Sequence, residues 1–323
     1  MKRLAYFIPF QGCTRRCVYC DQRTITADAG GSSASVIAPE RIERDLAEQD
    51  GPVELCFFGG SFARLKKDDF IRYLDCIRAA PEGSRITFSS YPGDFEEAAI
   101  IEALHRYPIG TIELGVPSLD PAVLRACGRE DAPEKALGAI SRLREAGFHI
   151  GLQIMTGLPM QSDESVRSDV ERLAALMSPG DRWDMRIYPC LVLKGTELER
   201  MYSAGVYVSP TLEVSVRLAG ALMLLAEGLR FDVIRVGLLE SEALRQSVVA
   251  GPYHPAFGEL ALSEKTALEL VQKKPNGPWD IEARKLSRLT GHGRRGIERL
   301  AELAGMPPAD VESQITVLSG PYG

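Results

Sequence analysis

Histidine and tryptophan are scarce in this chain, with 4 and 2 among 323 residues, and its 7 cysteines are an odd number. An odd set, in which Cys56, Cys76, Cys127 and Cys190 each stand alone, does not make the disulfide framework of a small secreted domain. A reducing, cytoplasmic setting is the expectation. No apolar run approaches the ~18 residues of a membrane span, so no membrane partner is expected. Met1 to Phe10 carries Lys2 and Arg3 ahead of a brief apolar run, but it is too short for a secretory leader, lacks a small-residue cleavage site and runs straight into cysteines. It reads as a buried first strand. Repeats and low-complexity tracts are also missing. A net charge of −6 excludes indiscriminate binding to nucleic acid while leaving room for a local basic patch. What remains is an ordinary globular composition with length for one large domain and a small one.

The chain alternates short apolar runs with amphipathic helical stretches, the pattern of a parallel sheet with crossover helices. Strands are expected at Leu4–Pro9, Val53–Phe58, Arg85–Ser90, Thr111–Val116, Phe148–Met155 and Trp183–Tyr188. Helices fall between them: Pro39–Gln49, Lys67–Arg78, Asp94–His105, Pro133–Ala146 and Asp163–Met177, with a short one opened by Asp120 and Pro121, and a loop over Thr24–Ala38. Six strand-helix units are fewer than the eight of a closed barrel, so the expected class is α/β, an open (β/α)6 partial barrel. In such sheets ligands sit beyond the carboxyl ends of the strands, where the cysteine-rich and glycine-rich loops fall. From about Ser209 the rhythm changes to a long helix, Thr211–Leu229, a further strand, Phe231–Val236, and a mixed tail with two or three helices. The division expected is 1–237 for the barrel and 238–323 for a small, mainly helical extension.

Cys13, Cys17 and Cys20, three residues and then two apart, can all turn inward from one loop. A cubane 4Fe-4S cluster normally takes four thiolates, so three leave one iron open to a small molecule. A closed zinc site would want a fourth Cys or His nearby, and the first histidine is His105. Cys-x3-Cys-x2-Cys with Tyr19 before the last cysteine resembles the radical S-adenosylmethionine (SAM) enzymes, in which the open iron chelates the amino and carboxylate groups of SAM. That resemblance implies two cofactors, a 4Fe-4S cluster and SAM, an oxygen-sensitive site, and a flavodoxin- or ferredoxin-like electron donor. It also implies the chemistry: reductive cleavage of SAM to a 5'-deoxyadenosyl radical that takes a hydrogen atom from an unreactive carbon.

By the same resemblance, Gly59, Gly60, Ser61 and Phe62 match the segment that holds the amino group of SAM; a tight strand-helix turn is the other reading of a Gly-Gly pair. Glu113 to Ser118 is similar to the fourth-strand segment beside nucleoside and substrate, Met155 belongs to the fifth-strand segment near adenine, and Tyr188 to the sixth. Among subgroups, Phe7–Cys13, Glu113–Ser118, Ile154–Pro159 and Ile187–Val192, followed by Gly195-Thr196-Glu197-Leu198, look most like the radical SAM domain of the Elongator catalytic subunit and its short prokaryotic relatives. Oxygen-independent coproporphyrinogen oxidases share broadly similar motifs. Two departures stand out. Arg129-Glu130-Asp131 replaces Arg-Gly-His after Cys127, and no acetyl-CoA loop of an acetyltransferase domain is visible.

Further candidates carry plainer alternatives. Cys190, just past the sixth strand, reads as a hydrogen-atom donor, a metal ligand, or more simply a small buried hydrophobe. His254, bracketed by Pro252 and Pro255, caps the barrel mouth or packs as a rigid turn. Gly291-His292-Gly293-Arg294-Arg295, with Arg299, resembles the glycine loop of a KH module and makes RNA a candidate partner through Arg294, Arg295 and Arg299, against an ordinary solvated helix start. The competing class of function is an iron-sulfur or zinc protein that contacts RNA without catalysis; a porphyrinogen-type radical enzyme is the other alternative.

Overall fold

The computed structural model describes residues 1–13, 16–22, 37–129 and 133–318. Most of the expected loop Thr24–Ala38, and the departure at Glu130 and Asp131, lie outside the described residues.

Seven strands pair in parallel: β1 (Lys2–Phe7), β2 (Val53–Phe58), β3 (Arg85–Ser90), β4 (Ile109–Gly115), β5 (His149–Thr156) and β6 (Trp183–Pro189) in chain order, then β8 (Phe231–Val236) after the two-residue β7 (Val192–Leu193). The sheet curls into an open half-barrel. The partial barrel is thus as expected, with one addition: the helix Leu212–Gly228 serves as a crossover, and Phe231–Val236 joins as a seventh strand with Trp183 opposite Phe231. β1 lies earlier than expected because Pro9 has no N–H for the ladder and the chain turns at Phe10 in the left-handed region (φ 58°). The expected helix Asp94–His105 is α-helical only over Ala98–Leu104, since Asp94 instead accepts a bond from Tyr91 N (3.2 Å) in the turn that closes β3.

Strand residues alternate between two faces. Leu55, Phe57, Ile86, Phe88, Ile112 and Leu114 are fully buried against the helices. Phe62 stacks on Phe57 with centroids 4.6 Å apart and lies 4.9 Å from Phe88, an aromatic cluster at the end of β2. Each such side chain contributes about 1.5–3 kcal/mol by leaving water. Helix starts are set locally. Asp120 accepts from Ala122 N (2.7 Å) ahead of Pro121, and Ser162 and Ser165 cap each other's backbone at 3.1 Å before Asp163–Ala174.

The tail contains the helices Glu242–Ser247, Phe257–Lys273, Leu286–Ala304 and Pro308–Ser313. Phe257–Lys273 packs on both Leu212–Gly228 and Leu286–Ala304. A second small core of Trp279, Ile281, Leu289, Ile297, Leu300 and Val311 sits beneath a parallel strand pair, Trp279–Glu282 and Ile315–Leu318. Among the described residues no helix is long and apolar enough to cross a membrane.

Candidate functional site

Past β1 the chain folds back onto the end of β2. Phe10 N donates to Gly59 O (3.0 Å) and Ser61 N to Gln11 O (2.8 Å). The approach leaves no room for side chains: a Cβ on Gly12 would lie 2.1 Å from Ser61 O, and one on Gly60 would lie 2.5 Å from Gln11 O. Both glycines are therefore required to seat the cysteine loop against β2, whatever a ligand asks of them.

The seated loop brings Cys13, Cys17 and Cys20 to the wall of one cavity of about 230 Å³, together with Tyr19. Burial, helped by the neighbouring thiols Cys17 and Cys13, pushes the Cys20 thiol up to about 12, and burial raises Cys13 in the same direction. Loading these sulfurs with a metal centre would expel their protons. Two polar groups already address them. Gln22 Nε2 lies 3.9 Å from Cys13 Sγ, and Arg129 Nη1 lies 3.9 Å from Cys17 Sγ while its Nη2 donates to Gly115 O (3.1 Å). The Arg129 guanidinium also covers the Tyr91 ring at 4.9 Å. Among the described residues no three His, Cys, Asp or Glu side chains converge tightly enough for a single metal ion. Three thiols on the wall of one cavity, with a cation beside them, are a donor set that fits a cluster held by three thiolates.

In the same cavity, Ser61 Oγ donates to Asp94 and accepts from Tyr91 N (2.9 Å). Burial raises the Asp94 carboxyl, although its bonds from Ser61 and Ser90 pull the other way.

A second cavity, of about 410 Å³, adjoins the first through Tyr19, Cys20, Gly59, Met155 and Tyr188 and extends into the concave side of the half-barrel. Its polar centre is a buried pair. Glu113 is 2% exposed and accepts from Arg186 Nε (2.8 Å) and Nη2 (2.5 Å), and from Gln153 Nε2 (2.7 Å). A buried carboxylate is costly without a partner, and the pair supplies one for Glu113.

Of the residues expected at the site, the three cysteines, Tyr19, Gly59, Gly60, Ser61, Met155 and Tyr188 line the first cavity and Glu113 the second. Phe62 and Ser118 do not. Phe62 is wholly buried in the aromatic cluster behind β2, and Ser118 turns away from both cavities to donate to Asp169 (2.6 Å). Cys190 is buried with Cys127, Val192 and Tyr207 in an apolar cluster, the small-hydrophobe alternative, and Cys56 and Cys76 are buried too. His254 accepts from Ala256 N (3.0 Å) and borders a pocket of only about 10 Å³. The Gly291–Arg294 segment interrupts the helix Leu286–Ala304 rather than starting it. There Arg294 pairs with Glu312, Arg295 with Glu213, and Arg299 with Glu264 at 2.9 Å.

Asp94, Arg129, Gln153, Arg186 and Arg235 line the cavities without having been singled out as ligands. A signal existed for two of them. Side chains on one face recur every second residue, so counting back two from Tyr188 gives Arg186 and two from Met155 gives Gln153.

The family described as the radical SAM superfamily matches residues 7–173, and the radical SAM C-terminal domain matches 183–267. The heme chaperone HemW of Lactococcus lactis is 28% identical over 181 residues, 54% of this chain and 46% of that protein. The tRNA uridine(34) acetyltransferase of Methanocaldococcus infernus is 33% identical over 97 residues, 30% of this chain and 18% of that protein. The chain thus spans less than half the length of either. Among solved structures, archaeal Elp3 of Methanocaldococcus infernus superposes with a TM-score of 0.56 at 20% identity, covering 84% of this chain and 63% of that one, a likeness of fold.

Proposed function

The chain belongs to the radical SAM superfamily, a family of enzymes, and on that premise we propose that Cys13, Cys17 and Cys20 hold a 4Fe-4S cluster whose open iron takes SAM, with the substrate in the adjoining chamber. When bound, the two cofactors supply reductive cleavage of the sulfonium and, through the 5'-deoxyadenosyl radical, removal of a hydrogen atom from carbon. The remaining tasks fall to the chain. Arg129 offsets negative charge gathered at the sulfurs, and the Gly59–Gly60 backbone keeps the loop seated. Met155 and Tyr188, at the junction, hold the two compartments in register, and the apolar walls around Phe7 and Phe58 exclude water from a reactive carbon. The observation that carries this reading is that the three thiols share a cavity opening onto a second one inside the barrel.

Anaerobic reconstitution tests it. About four irons per chain, and a reduced-cluster electron paramagnetic resonance signal that changes shape when SAM is added, are expected. Stoichiometric zinc, or a signal indifferent to SAM, would remove the reading.

Similarity to a protein named as a tRNA uridine(34) acetyltransferase favours a second reading, in which RNA is the substrate. It would require Arg294 and Arg295 to exchange their glutamates for phosphates. A fall in tRNA affinity with Arg294→Glu plus Arg295→Glu, steepest at low salt, would support it; an unchanged affinity would take the tail out of the account.

A further inference from the structure

A volume of about 410 Å³ places the deeper chamber among pockets that enclose small organic ligands. Its charges do not balance. Arg3 pairs with Glu54, and Arg186 pairs with Glu113. Arg235 also lines the chamber, half-buried, and among the described residues it makes no ion pair. Among the described residues, three guanidinium groups therefore meet two carboxylates.

The strand register adds an independent constraint. Arg235 on β8 stands directly opposite Arg186 on β6. Like charges at facing positions on neighbouring strands destabilise a sheet unless an anion lies beside them. Glu113 supplies that anion for Arg186, while among the described residues no carboxylate pairs with Arg235. The surrounding wall is apolar, with Phe7, Phe58, Leu191 and Leu238. Tyr188, close enough to Arg235 to feel its charge, stands two residues beyond Arg186 on the same face, about 7 Å nearer the cysteine cavity.

We propose that the chamber takes a compact organic anion, a carboxylate or a phosphate monoester on a short apolar body. Its charged end is held by Arg235 beside Tyr188, and its apolar end is directed toward the cysteine cavity. The assignment rests on reading this chamber as the substrate site of the proposed enzyme, and it adds the substrate's class and its orientation. Arg235 is here a binding residue that fixes which carbon faces the cofactors.

The test is binding to the cluster-loaded full chain without SAM, by calorimetry, with 3-phenylpropionate, 2-phenylethyl phosphate and the neutral 3-phenylpropionamide as probes. A charge-assisted contact should favour at least one anion over the amide by about tenfold. The anion that gains identifies carboxylate or phosphate as the group. Arg235→Gln should level the anion and amide affinities. Arg235→Glu should turn the preference toward 3-phenylpropylamine, a gain that a misfolded protein cannot show. Equal affinities in the wild type, no binding of any probe, or an anion preference that survives Arg235→Gln would overturn the proposal. Because the readout is binding alone, it succeeds or fails separately from SAM cleavage.

Discussion

The arginines of the tail and those of the half-barrel differ in whether the fold pairs them with a carboxylate. Arg294, Arg295 and Arg299 sit in a glycine-rich basic cluster that looks made for phosphates, yet each finds a glutamate within the fold. Arg129 and Arg235 stand outside any basic cluster, yet both face a cavity and neither makes an ion pair among the described residues. Local density of positive charge is thus a poor guide to which arginines the fold leaves without a carboxylate.

The sharpest way to break this contrast is Arg186→Met, which leaves Glu113 buried without its cation; a loss of about 3–5 kcal/mol is expected in urea unfolding. Adding Glu113→Leu to that variant should recover most of the loss, since a well-packed apolar pair replaces a buried ionic one at little cost. In the tail, Arg299→Met should remove about 2–3 kcal/mol, because Glu264 is as deeply buried as Glu113. Arg294→Gln, by contrast, breaks a pair with a half-exposed arginine, and its melting curve should shift by less than about 1 kcal/mol. An equal loss at Arg299 and Arg294 would show that the tail pairs do not differ in burial as described.

The smallest effect expected is pH-dependent. A hydrogen bond to Asp184, at 3.3 Å, raises the half-exposed His149 above its ordinary value. A raised histidine stabilises the fold fully below its ordinary pKa and loses that contribution as pH climbs through the raised one. His149→Gln should therefore cost about 0.5 kcal/mol or less near pH 5.5 and nothing near pH 9. A loss that grows with pH would contradict the assignment.

Much of the scaffold was legible because apolar alternation and flanking Gly or Pro mark it locally. Val53–Phe58, Arg85–Ser90 and Phe231–Val236 form at the expected positions. That Phe231–Val236 would pair with β6 was not legible, since the pairing depends on how the preceding helix returns to the sheet. The cysteine cavity was legible as spacing. Its neighbours were harder to read, because adjacency in sequence misleads at strand ends. Ser61 faces the cavity while Phe62, next to it, turns into the core; Pro117 lines the cavity while Ser118 bonds to Asp169. Arg235 belongs to no short motif, and only the fold reveals that it stands opposite another arginine.

The central claim is that three thiols on one cavity wall support cleavage of SAM, and release of 5'-deoxyadenosine from the reduced, reconstituted protein measures it most directly. The account predicts that 5'-deoxyadenosine accumulates on adding SAM and that Cys20→Ala abolishes it. A fully loaded, reducible cluster that releases no more 5'-deoxyadenosine than Cys20→Ala would contradict it.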